Sequence, residues 1–255
     1  MAMTSLRFAR RMAAVACAAA AVLAWPAAQA ADEQPARGLE GNASGVFLNE
    51  AGDVLTARHA VTGCRSLFVL KDGRVAEATV RVTSPLADLD IAVLHSDIKP
   101  YLGATFPRSE VLPAATISVF SEAHGPLQRM ADRSAVLGNA LTVPGAEGLQ
   151  LLSGAKPGAS GSAVLDAGGL LLGVVVERIA AAPGASGGTL SRLPSLSGSG
   201  AAAGSTRVRA ETAARIKHFL RDNGVAYSES DTPQLGPQQS PAARAATLSV
   251  GVLCG

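Results

Sequence analysis

Between residues 44 and 98 the chain is cut into short apolar runs by polar turns that come about every ten residues. "SGVFLN" gives way to "EAGD" and then "VLTARHAV". "SLFVL" gives way to "KDGR" and then "VAEATVRVTS", and "DLDIAVLHS" closes the series. Such runs are too short for ordinary helices, and their spacing predicts antiparallel strands curled into a sandwich or barrel. A crossing with three prolines and no clear period, "DIKPYLGATFPRSEVLPAA", leads to a second strand-rich region. That region runs from "TISVF" through "SAVLGNALTV", "GLQLLSG" and "SAVLD" to "GLLLGVVVE". Two β-units of similar length predict an all-β chain of two small barrels, at about 40–100 and 112–208.

The remaining segments differ in kind. Residues 180–205 are rich in Ala, Gly and Ser without a sustained apolar face, which predicts a long surface loop. "RAETAARIKHFLRDNG" predicts the one clear helix, over 209–223. Ala213, Ile216, Phe219 and Leu220 share a face there, and Gly224 is placed to stop it. Residues 226–255 read as a polar, proline-broken linker followed by a strand, "TLSVGVLCG".

The first thirty residues have the pattern of an export signal. Arg7, Arg10 and Arg11 precede the apolar run "MAAVACAAAAVLAW", and "AQA" at 28–30 offers a small-x-small cleavage point. The run is too short for a stable membrane span, so no membrane attachment is expected after cleavage, and the destination is the periplasm or the exterior. The segment carries three arginines and no acid, so its removal moves the formal charge from +2 to −1. The basic precursor therefore gives no reason to expect a nucleic-acid partner. Two cysteines remain, Cys64 and Cys254, and an even count in an exported chain favours a disulfide over two buried thiols.

Three glycine-flanked serines stand out: "GNASG" at 41–45, "PGASGS" at 157–162 and "PGASGG" at 183–188. A serine hydroxyl becomes a useful nucleophile only with a base, a carboxylate to orient that base, and donors for the developing oxyanion. Among the histidines, His59 ends the apolar run "GDVLTARHAV", whereas His95, His124 and His218 occupy positions expected at the surface. Asp90 stands at the mouth of the buried run "IAVL", a costly place for a carboxylate unless it is hydrogen-bonded; Asp88 reads as a surface acid. Ser160 leads into a strand, a tight turn and a second strand, and Gly158 and Ser160 can turn two backbone N–H groups toward one oxygen. Ser186 leads only into low-complexity sequence, and Ser44 opens a strand ahead of His59. The order His59, Asp90, Ser160 is that of chymotrypsin, and the G-x-S-x-G elbow of the α/β-hydrolases is broken by Ser162.

On these motifs the chain resembles the trypsin-like serine peptidases, in particular the bacterial branch that includes the HtrA (Deg) proteases. "VLTARHAV", "DLDIAVL" and "PGASGSAVLD" look like the family's histidine, aspartate and serine motifs. "GLLLGVVV" looks like the strand behind the nucleophile and "RAETAARIKHFLRDNGV" like its closing helix. The resemblance implies a chymotrypsin-like fold of two six-stranded antiparallel β-barrels with a C-terminal helix, filling 31–225. It implies a serine endopeptidase acting on proteins or peptides, with His59 as base, Asp90 as its orienting carboxylate and Ser160 as nucleophile. Gly158 and Ser160 would supply the oxyanion amides, and no metal or organic cofactor is expected. Gly154 and Val176 fall at the expected specificity pocket; with no acid there, no preference for Arg or Lys is expected. About thirty residues follow the helix, too few for the PDZ domain of HtrA proteins. The competing expectation is a catalytically silent trypsin-like module that binds proteins or cell-envelope material.

Overall fold

A computed structural model describes residues 41–112, 118–122, 137–143, 148–152, 158–179 and 207–255. The segment 1–30, His124, Gly154, Ser186 and the low-complexity stretch 180–205 lie outside the described residues.

The first barrel takes five strands from the amino-terminal half: β1 (Gly41–Phe47), β2 (Asp53–Thr56), β3 (Leu67–Lys71), β4 (Arg74–Thr83) and β5 (Ala92–Ser96). Its turns follow the sequence signals. In "KDGR", Asp72 and Gly73 both take positive φ, 48° and 78°, the requirement of a two-residue hairpin whose twist matches its strands. Alternation along β5 sends Ala92 and Leu94 into the barrel, while Ile91 and Val93 face a second core outside it.

The sixth strand comes from the far end of the chain. β14 (Ser249–Cys254) lies antiparallel between β1 and β3, with Ser44 opposite Gly251 and Leu67 opposite Cys254. Val250 and Val252 join the barrel interior, and the Gly255 carbonyl accepts from Arg65 and Ser66 N–H. Cys64 and Cys254 are joined by a disulfide, Cα to Cα 5.3 Å. Five strands leave two unpaired ladder edges, and β14 satisfies both.

The second barrel closes from β7 (Ser118–Glu122), β8 (Leu137–Thr142), β9 (Leu149–Leu152), β10 (Ala163–Leu165), β11 (Leu171–Ile179) and β12 (Arg207–Thr212), in the order β10-β11-β12-β9-β8-β7. The helix α1 (Ala213–Asp222) starts later than the sequence pattern predicts, because residues 209–212 still belong to β12. Thr212 caps it by accepting from Arg215 N–H, and Ala213, Ile216, Phe219 and Leu220 are buried as the pattern requires. These four join side chains of both barrels, among them Val46, Leu55, Ile91, Val93, Leu165 and Val174, in one continuous core. That shared core holds the two barrels in fixed register.

Three elements have no counterpart in the sequence expectations. β6 (Thr105–Pro107) and β13 (Ser228–Ser230) form a small parallel ladder. The helix α2 (Pro241–Leu248) precedes β14, with Ser240 Oγ accepting from Ala243 N–H. Its proline marks a start rather than a break, since the first helical position has no intrahelical use for an N–H.

Candidate active site

His59 sits in a single 3₁₀ turn, Arg58–Ala60, entered from β2 through the extended Ala57. That turn is tied to the segment ahead of β5. Arg58 N–H donates to the Asp90 carbonyl at 3.3 Å, and His59 N–H donates to Asp90 Oδ1 at 3.0 Å. The other carboxylate oxygen, Oδ2, lies 2.6 Å from His59 Nδ1. A carboxylate only accepts, so Nδ1 carries the proton in this pair and neutral His59 leaves Nε2 as an acceptor. Nε2 lies 3.0 Å from Ser160 Oγ. His59 and Asp90 come from the first barrel; Ser160 comes from the turn ahead of β10 in the second.

Two further groups brace the aspartate. The Arg58 guanidinium donates to the carbonyls of Ser84 (2.8 Å), Leu86 (2.8 Å) and Ala87 (3.3 Å), and its Nε lies 3.9 Å from Asp90 Oδ1. The arginine thereby fixes the loop that presents Asp90. Behind it, the buried Glu211 accepts from Arg209 Nη1 at 2.8 Å and Arg215 Nη1 at 2.9 Å, and reaches Asp90 N–H at 3.5 Å. Burial works to lower the pKa of the Arg209 guanidinium, but its bonds to Glu177 and Glu211 outweigh that, and the net shift is upward. Asp88, expected at the surface, is exposed and pairs with Arg215 at 2.9 Å.

The Ser160 turn is held by its carbonyls. The Gly158 carbonyl accepts from Ser44 Oγ (2.7 Å), that of Ala159 from Ser162 N–H (2.9 Å), and that of Ser160 from Ser44 N–H (2.8 Å). Gly161 N–H donates to the Val175 carbonyl at 2.7 Å. Gly158 and Gly161 have φ of 91° and 85°. A Cβ at Gly161 would lie 1.9 Å from the Ser44 carbonyl oxygen, so only glycine fits against β1. Among the described residues, none accepts a hydrogen bond from Gly158 or Ser160 N–H.

Other residues singled out in the sequence fall elsewhere. Val176 is buried in β11, where the register to β12 shifts between Val175 and Glu177. His95 pairs with the buried Asp53 at 3.0 Å, at the opposite end of β5 from Asp90. His218 is largely exposed on α1. Among the described residues, no three His, Cys, Asp or Glu side chains group so as to hold a metal ion. Arg58 and Glu211 give no sign of their roles in the sequence: Arg58 reaches backbone carbonyls in the 84–87 loop, and Glu211, held by its near neighbours Arg209 and Arg215, meets Asp90 N–H only in the fold.

Two closed antiparallel barrels sharing one core have the chymotrypsin-like fold. The profile of the trypsin-like peptidase domain matches residues 43–174, just over half of the chain, and the chain belongs to that family, a family of serine proteases. An uncharacterized protein, y4bJ, of Sinorhizobium fredii is 26% identical over 153 residues, which is 57% of this chain. The chain spans only 23% of the length of that curated relative. Among solved structures, the HtrA-type protease AlgW with a decapeptide superimposes with a TM-score of 0.52 at 21% identity. The match covers 71% of this chain and 51% of AlgW. An inactive mutant of Rv3671c from M. tuberculosis H37Rv gives 0.47 at 17% identity, over 71% of this chain and 81% of its own.

Proposed function

We propose that the protein is an exported serine endopeptidase in which His59, Asp90 and Ser160 act together through an acyl-enzyme. The observation that carries this is the unbroken path from Asp90 Oδ2 to Nδ1 at 2.6 Å and from Nε2 to Ser160 Oγ at 3.0 Å. Ser160 Oγ attacks the scissile carbonyl carbon as its proton passes to His59 Nε2, and Asp90 stabilises the imidazolium that forms. Gly158 and Ser160 N–H donate to the carbonyl oxygen as it takes up negative charge. The tetrahedral adduct collapses, the C–N bond breaks, and the leaving amine takes the proton from Nε2. A water then enters, gives a proton to Nε2 and its oxygen to the acyl carbon, and the Ser160 ester bond breaks as Nε2 returns that proton to Oγ.

The absence of an acid at Gly154 and Val176 supports cleavage after small or medium apolar side chains rather than after Arg or Lys. The Cys64–Cys254 disulfide supports residence in an oxidising compartment, periplasm or exterior, as does the signal-like segment. AlgW, a protease solved with a decapeptide, is consistent with a peptide as substrate. The test is a peptide-library digest by protein lacking 1–30. Internal cleavage after apolar residues by wild type, and none by Ser160→Ala, is expected. No cleavage by folded wild type, or cleavage only after Arg and Lys, would overturn this proposal.

A further inference from the structure

The sequence holds three glycine-flanked serines, and the first, "GNASG" at 41–45, has no part in the chemistry above. In the fold it faces the second. Ser44 lies in β1 of the first barrel, wholly buried, and touches the Ser160 turn of the second barrel at three points. Its Oγ donates to the Gly158 carbonyl at 2.7 Å, and its N–H donates to the Ser160 carbonyl at 2.8 Å. Its own carbonyl, which accepts from Thr56 Oγ1 at 2.7 Å, occupies the space that a Cβ at Gly161 would need.

We propose that the Ser44 hydroxyl is a positioning residue for the oxyanion donors: it clamps the Gly158 carbonyl so that the Ser160 turn stays in its reactive shape. This rests on the serine-protease reading of the same site. Gly158 has a φ of 91°, and a glycine has no steric reason of its own to remain at one backbone angle. Its shape must therefore be imposed from outside. The peptide planes at Ala159 and Ser160 are pinned by backbone donors, Ser162 N–H and Ser44 N–H, which any side-chain change preserves. The Gly158–Ala159 plane is pinned by a side chain, Ser44 Oγ. Peptide planarity fixes the Ala159 N–H and both flanking Cα atoms together with that carbonyl, so the Gly158 N–H turns about a Cα that is held in place. The hydroxyl thus acts across the barrel interface, coupling β1 to the group that must receive the developing negative charge.

Ser44→Ala removes the Oγ bond to the Gly158 carbonyl and leaves β1 and its backbone donor in place. A neutral hydrogen bond of this kind holds its partner by about a factor of ten. The expectation is that kcat for p-nitrophenyl acetate falls about tenfold with KM unchanged. Inactivation by a fluorophosphonate, whose phosphoryl oxygen needs the same donors, should slow in parallel. Ser96→Ala removes a buried hydroxyl of the same barrel that has no partner among the described residues, and should leave both rates unchanged. Unchanged kcat in Ser44→Ala would overturn the proposal, as would a loss matched by a rise in KM or by a fall in folded protein. Wild type is measured first: failure there to turn over ester or to label sinks the peptidase reading. The clamp is still read in that case, from amide exchange at residues 159–161 in Ser160→Ala protein. Faster exchange on adding Ser44→Ala supports the clamp, and unchanged exchange refutes it.

Discussion

Removing the Cys64–Cys254 bond perturbs the chain where its end is built into the first barrel. The cysteines are 190 residues apart in sequence, so the disulfide closes nearly the whole folded chain into a loop. In the chain-entropy description, cross-linking a loop of that length removes about 18 cal/mol/K from the unfolded ensemble, or about 5 kcal/mol at 25 °C. Native disulfides deliver about 2–5 kcal/mol in practice, because unfolded chains keep some order and solvation contributes. The folded state loses little on reduction: β14 keeps its ladders to β1 and β3, and Val250 and Val252 stay in the core. The effect should therefore appear as a stability loss of about 2–5 kcal/mol without a change of fold. The sole tryptophan, Trp25, lies within the segment read as an export signal, so urea unfolding is best followed by far-UV circular dichroism. Oxidised protein should show a higher midpoint than the same protein with reductant, and Cys64→Ala/Cys254→Ala should match the reduced form and ignore reductant. A midpoint indifferent to reductant, or two alkylatable thiols in unreduced native protein, would refute the reasoning.

Three further outcomes follow from the geometry. Asp90→Asn should lower kcat by roughly 10³- to 10⁴-fold. Oδ1 is already committed to His59 N–H, so the new amide N–H₂ faces Nδ1 and forces the ring proton onto Nε2, where it can no longer take the Ser160 proton; steady-state ester hydrolysis reads this out. Gly161→Ala should cost about 2–3 kcal/mol and most of the activity, because its Cβ meets the Ser44 carbonyl at 1.9 Å and its φ of 85° suits glycine; urea midpoints and fluorophosphonate rates check both. Arg81→Ala should destabilise by about 2 kcal/mol in urea, since it strips the buried Asp53 of a guanidinium; the 39% exposure of Arg81 keeps the figure below that of a fully buried pair.

What could be read from the sequence follows the range of the physics. Strands with period-two burial, turns such as Asp72–Gly73 and the apolar face of α1 are set by neighbours a few residues away, and they fall where the pattern puts them. His59, Asp90 and Ser160 each stand in a recognisable local setting, and the structure brings the three side chains together. The closing of the first barrel was not legible. "TLSVGVLCG" reads as a strand, but nothing in it names β1 and β3 as partners some 200 residues earlier. α2 was hidden because Pro241 looks like a breaker until Ser240 is seen to cap the turn that it begins. Arg58 acts through three carbonyls of the 84–87 loop, and Glu211, paired with its neighbours Arg209 and Arg215, meets Asp90 N–H across the fold; only the folded chain creates these long-range contacts. Ser44 stands out in the sequence as a motif, yet its place in the site depends on a loop 114 residues away.

The most direct test of the central claim is covalent labelling of protein lacking residues 1–30 by a fluorophosphonate, with the adduct mapped by peptide mass spectrometry. Modification at Ser160 alone, lost in His59→Ala and in Ser160→Ala, is the expected result. A folded sample that takes up no label, or one labelled at Ser44 or Ser186 instead, would contradict it.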